Sequence, residues 1–152
     1  MTAPDQTIFP SRPPCSKVRV PGKVILSGEH AVVYGTPALA CAIQKYAFAK
    51  VVSIDIEGVH LIVPAFGIDQ HFSHGQLTQL AHQTQSRHQK FLQDSALLCL
   101  VIESPAQFFA AALGASGLAV LLADQPGIAI ELTMDLVAGG GMGSSAALVA
   151  AM

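Results

Sequence analysis

A chain of 152 residues can bury one real core, and 51% hydrophobic against 12% charged content makes this one more apolar than a typical soluble domain. A net charge of −2 with no local basic cluster excludes the electrostatic footprint of a nucleic-acid partner. Three widely spaced cysteines (Cys15, Cys41, Cys99) suit a reduced, cytoplasmic protein better than a disulfide framework.

Residues 1–14 hold Pro4, Pro10, Pro13 and Pro14 without periodicity and read as an irregular N-terminal arm. The start lacks the basic and apolar regions of a signal peptide. A strand pattern appears at 17–20, is punctuated by Pro21-Gly22 as a turn, and resumes at 23–26. Residues 38–43 suit a buried strand or a short helix equally, whereas 48–56 alternate as a strand. Beyond a turn near Gly58, residues 61–63 form a shorter partner strand.

Residues 65–79 show little pattern. His71 and His74 have metal-like spacing, but no second ligand pair stands nearby, and a solvated loop is the reading adopted. From about 77 to 123 two or three helices are expected, with Phe91, Leu92, Leu97, Leu98, Val101 and Ile102 as an apolar stripe and Pro105 at a helix start. The apolar stretch 96–123 is broken by Glu103, Ser104, Pro105 and Gln107 into runs short of the ~20 residues that a membrane span needs, so core helices are expected and no membrane segment. A turn at 124–127 then leads into a strand with Ile128, Ile130 and Leu132 on one face.

The chemistry concentrates after that strand. Gly139, Gly140, Gly141 and Gly143 are followed by Ser144, Ser145 and a helix-forming run from Ala146. Glycines let backbone N–H groups converge, and a helix start adds free N–H groups and a positive dipole end. Hydroxyls there can reach a phosphate oxygen or Mg²⁺. The arrangement predicts a polyphosphate cradle; the alternative is a flexible glycine turn before a serine-capped helix. No lysine follows the last glycine, so this is no Walker A loop.

The run 139–147 (GGGMGSSAA) closely resembles the phosphate loop of the GHMP kinases, which usually read Pro-x-Gly-x-Gly-Leu-Gly-Ser-Ser-Ala. Val137-Ala138 stand where the proline is expected, and Gly140 and Met142 replace common alanine and leucine. Methionine for leucine conserves volume. A second stretch, 21–35 (PGKVILSGEHAVVYG), is similar to the amino-terminal motif of the mevalonate kinases within that family. The galactokinases write Gly-Glu-His-Thr-Asp at the equivalent place and the phosphomevalonate kinases tend to write Gly-Glu-Tyr, so His30 followed by Ala31, Val32, Val33, Tyr34 and Gly35 points to the mevalonate kinases.

The resemblance implies an α+β fold, the GHMP kinase amino-terminal domain of the ribosomal protein S5 domain 2-like type, over 15–152, without the carboxy-terminal domain. It implies ATP and Mg²⁺ as cofactors, mevalonate as substrate, and phosphorylation of the mevalonate 5-hydroxyl in isoprenoid biosynthesis. The cofactor-binding residues would be Gly139, Gly140, Gly141, Met142, Gly143, Ser144, Ser145 and Ala146, with the Ser145 hydroxyl on Mg²⁺. Lys23 would be catalytic, acting on the transferring phosphoryl group or the attacking hydroxyl, and Glu29 and His30 would orient substrate. A homodimer is compatible with a full-length enzyme of this kind, although no residue fixes the oligomeric state.

In this family the acidic residues that complete the site follow the phosphate loop. The chain ends at Met152, about two turns into the last helix, which is expected to bury little and fray. It therefore reads as a fragment that performs the reaction poorly or not at all alone. Two other readings stand: another GHMP small-molecule kinase, for phosphomevalonate or a sugar, and a non-catalytic nucleotide-binding module.

Overall fold

In the computed structural model, the described residues are 15–93, 102–121 and 126–152. They form a five-stranded sheet in the order β1-β2-β5-β3-β4, with helices packed on one face. The strands are β1 (Cys15–Ser27), β2 (Leu39–Ser53), β3 (Val59–Val63), β4 (Ile68–Phe72) and β5 (Ile128–Met134). The helices are α1 (His74–Gln93), α2 (Pro105–Ala115), α3 (Leu118–Leu121) and α4 (Ser144–Ala151). All pairings are antiparallel except β3 with β5, whose parallel register requires the crossover through β4 and the helices. This is the expected α+β class.

The period-2 pattern decides which face is buried. Val59, Leu61 and Val63 alternate inward along β3, and Ile130 and Leu132 do so along β5. Ala47 and Ala49 of β2 join them beneath Leu77 of α1, Phe109 and Leu113 of α2, and Leu148 of α4. The opposite face stays open. Phe48, Lys50 and Thr133 are exposed there, and Lys50 pairs with Glu131 across the strands at 3.9 Å.

Several expectations are corrected. Pro21-Gly22 is not a turn: β1 runs through it, with Pro21 opposite Tyr46 and Lys23 opposite Ala42, so the irregularity falls on β2. The ambiguous segment 38–43 supplies the start of β2, a single strand that ends at Ser53 and leaves Ile56 exposed. The stretch 65–79 is ordered, not a solvated loop. It holds β4 and the start of α1, where Ser73 and Gln76 form a reciprocal capping box: the Gln76 N–H donates to Ser73 Oγ at 3.2 Å and the Ser73 N–H to Gln76 Oε1 at 2.9 Å.

His71 sits on β4 within 2.8 Å of the Glu57 carbonyl oxygen, and His74 opens α1. In the expected apolar stripe Leu92 is 70% exposed and Phe91 half-buried, because α1 turns Leu77 rather than Leu92 into the core. Leu97, Leu98 and Val101 lie outside the described residues, as do the arm 1–14 and positions 124 and 125 of the expected turn. Pro105 does open α2, behind Ser104, whose Oγ accepts from the Gln107 N–H at 3.2 Å. Helix α4 does not bury little: Ala147, Leu148 and Ala151 all enter the core. Among the described residues no helix is long and apolar enough to cross a membrane.

Candidate phosphate-binding site

The site begins where β5 ends. Asp135 donates its N–H to the Tyr46 carbonyl at 3.0 Å, and its carboxylate accepts the Tyr46 N–H. Leu136 is buried next. A Cβ on Gly22 would stand 2.3 Å from Leu136 Cδ2 and 3.1 Å from the Met142 carbonyl oxygen, so only glycine lets β1 lie this close to the loop.

The loop then closes on itself, with the Gly140 N–H donating to the Val137 carbonyl at 3.1 Å. Gly139, Gly141 and Gly143 have φ of +74°, +71° and +68°, the left-handed region that an L side chain occupies only with strain. These alternating conformations explain why the sequence repeats glycine here. Gly143 is the N-cap of α4, and no side chain caps it. By helix geometry the N–H groups of Ser144, Ser145 and Ala146 have no intrahelical acceptor and are free for an anion.

Lys23 is brought to this loop. Its N–H donates to the Met142 carbonyl at 3.0 Å. Its aliphatic stem lies against Gly143, with Cγ 3.1 Å and Cε 3.2 Å from the point where a Cβ would stand. A cation thus shares the loop end that carries the free N–H groups. Ser144 is 8% exposed and Ser145 exposed, so the two hydroxyls have different tasks available to them.

Glu29 and His30 are placed otherwise. They occupy the exposed turn after Ser27, beside a short 3-10 turn over Val32–Tyr34, with the Val32 N–H donating to the Gly28 carbonyl at 2.9 Å. At ~3.3 Å per residue of strand, Ser27 lies roughly 13 Å beyond Lys23. Neither residue forms an ion pair with another described residue. They follow Lys23 along β1 into the turn beyond its end.

One feature has no sequence signal. A cavity of about 420 Å³ opens beside Ser145, walled by Phe66, Ser104, Pro105, Phe108 and Phe109. Its walls are mostly apolar, with Glu103, Ser104 and Ser145 as the polar side chains, a lining that suits a flat, partly apolar group attached to a phosphate chain. A larger groove of about 650 Å³ between α1 and α2 contains neither Lys23 nor any loop residue, so it is not the phosphate site.

The donors fit Mg²⁺ only in part. Among the described residues no three His, Cys, Asp or Glu side chains converge on a metal position. Ser145 offers one hard oxygen, which suits an ion that arrives with its phosphates and keeps several waters.

Strand, glycine loop and helix on this sheet define the amino-terminal portion of the GHMP kinase fold. The relatives that the chain resembles are named mevalonate kinases. The chain is 29% identical to the mevalonate kinase of Methanothermobacter thermautotrophicus over 137 residues, 90% of this chain and 34% of that protein. It is 59% identical to the mevalonate kinase of Arabidopsis thaliana over 32 residues, 21% of this chain and 8% of that protein. The crystal structure of the Methanococcus jannaschii mevalonate kinase superposes with a TM-score of 0.66 at 19% identity, covering 88% of this chain and 37% of that one. The chain therefore spans about a third of the length of the relatives that it matches along most of its own. No family model matches it.

Proposed function

We propose that residues 15–152 form the amino-terminal domain of a mevalonate-kinase-like enzyme, which transfers the γ-phosphoryl group of ATP to the 5-hydroxyl of mevalonate. The contact between Lys23 and the Met142–Gly143 segment carries this reading. It joins the two stretches that resemble the family.

Phosphoryl transfer asks a protein for alignment and charge neutralisation more than for covalent chemistry. The free N–H groups at the start of α4 hold the phosphate chain, and the Ser144 hydroxyl contacts it. The cavity beside Ser145 takes the nucleoside. Mg²⁺ neutralises phosphate charge when bound, and the exposed Ser145 hydroxyl is the oxygen this chain offers it. The Lys23 ammonium stabilises charge on the transferring group or lowers the pKa of the attacking hydroxyl. Glu29 and His30 meet the substrate from the far end of β1.

By the same resemblance, the carboxylates that complete the site follow the loop. Residues 15–152 should bind Mg²⁺-ATP. A chain extended to the length of the relatives should release ADP only when mevalonate is present. Release that instead depends on phosphomevalonate or a sugar would overturn the substrate assignment.

A further inference from the structure

We propose that Asp135 is a positioning residue for the phosphate loop, acting through the Tyr46 backbone without touching phosphate. The role rests on the nucleotide-holding reading above. Residues 139–143 include four glycines, and a glycine-rich run loses more conformational entropy on ordering than any other composition. Such a loop must be held from its ends. The helix end is held by α4 and by the Lys23–Met142 bond. The strand end depends on Asp135.

The β2–β5 ladder runs from Ser53↔Ile128 to Ala47↔Met134. The next pair would be Tyr46 with Asp135, each exchanging N–H and C=O. Only half of that exchange is made by main chain: the Asp135 N–H donates to the Tyr46 carbonyl at 3.0 Å. For the other half, Asp135 Oδ1 takes the place of the Asp135 carbonyl and accepts the Tyr46 N–H. The carboxylate thus completes the ladder while the backbone turns away into the loop.

Charge makes that hydrogen bond stronger than the neutral one it replaces. Across the ladder, Tyr46 stands opposite Pro21, which has no N–H to offer. Its ring is fixed by the Arg19 guanidinium, whose carbon lies 5.1 Å from the ring centroid. Asp135 therefore sets the residue at which the chain leaves the sheet. That choice places Leu136 against Gly22 and aims the N–H groups that follow.

The test compares Asp135→Ala with Asp135→Asn, which keeps an Oδ1 acceptor, in the 152-residue chain. Amide hydrogen exchange is followed in residues 136–143 and, as a control, in 128–134. Mg²⁺-ATP affinity is measured by titration calorimetry. In Asp135→Ala, loop exchange should rise about tenfold or more with the strand control unchanged, and ATP affinity should fall about tenfold, the effect of losing one charge-assisted hydrogen bond. Asp135→Asn should remain within about threefold of the parent on both readouts.

Loop exchange in Asp135→Ala at the parent rate would overturn the proposal. So would an equal loss of protection across loop and strand, which a purely structural residue would produce. If the parent binds no ATP, the nucleotide reading fails, and the exchange comparison still decides whether Asp135 anchors the loop.

Discussion

The Lys23 backbone N–H donates to the Met142 carbonyl at 3.0 Å, while the Lys23 side chain runs over Gly143. One residue is thus tied to the loop through its main chain and delivers its charge there through its stem. The two functions can be separated. Lys23→Met keeps the stem and the N–H and removes only the ammonium. In an active, relative-length form, turnover should fall by about 10²–10³-fold while the ATP dissociation constant changes little. Steady-state kinetics beside ATP titration checks this, and an unchanged turnover number would remove Lys23 from the mechanism.

Ser145 is exposed at the first turn of α4 and rims the cavity. Ser145→Ala should leave stability within about 0.5 kcal/mol, since no packing is lost. It should raise the Mg²⁺ concentration needed for half-maximal ATP binding. A Mg²⁺ titration that superposes on the parent curve would defeat the metal-ligand role.

Gly22 is the point of closest approach between β1 and the loop. In Gly22→Ala the new methyl would meet Leu136 and the Met142 carbonyl, forcing strand and loop apart. Overpacking of this kind destabilises by about 1–3 kcal/mol, visible in urea unfolding. Nucleotide affinity should fall as well, because the Lys23–Met142 bond lies in the same contact. Parent-like values on both measurements would show that the two elements yield easily.

Leu148 is fully buried one turn into α4. Leu148→Ala should cost about 2–5 kcal/mol in chemical denaturation, the range for a large-to-small change in a packed core. A loss below about 0.5 kcal/mol would mean that α4 frays in solution and does not hold the loop.

The glycine loop was legible from its residue types, and the Lys23 stretch through its resemblance to a family motif. Glycine alone takes left-handed positions without strain, so a run rich in it marks a segment of unusual backbone, and the alternation of Ile130 and Leu132 needs only period-2 geometry. The start of α1 also carries a local signal, the Ser73-x-x-Gln76 capping box. Strand β4 was harder, since only Ile68 and Phe72 turn inward and the residues between them are polar and exposed. Pro21-Gly22 misled because local turn chemistry competes with pairing. Here the β2 ladder and the contact with Leu136 outweigh it.

By itself the sequence determined the inward face of β5 and the glycine loop with its helix, and the α+β class followed from the resemblance that the two motifs carry. Each depends on neighbours a few positions apart. The tertiary structure alone decided that β1 passes unbroken through Gly22, that Lys23 lies on Gly143, and that Phe66, Phe108 and Phe109 make a cavity beside Ser145. Those contacts join residues about twenty to more than a hundred positions apart. Their free energy comes from burial and ladder pairing across the sheet, which no local pattern encodes.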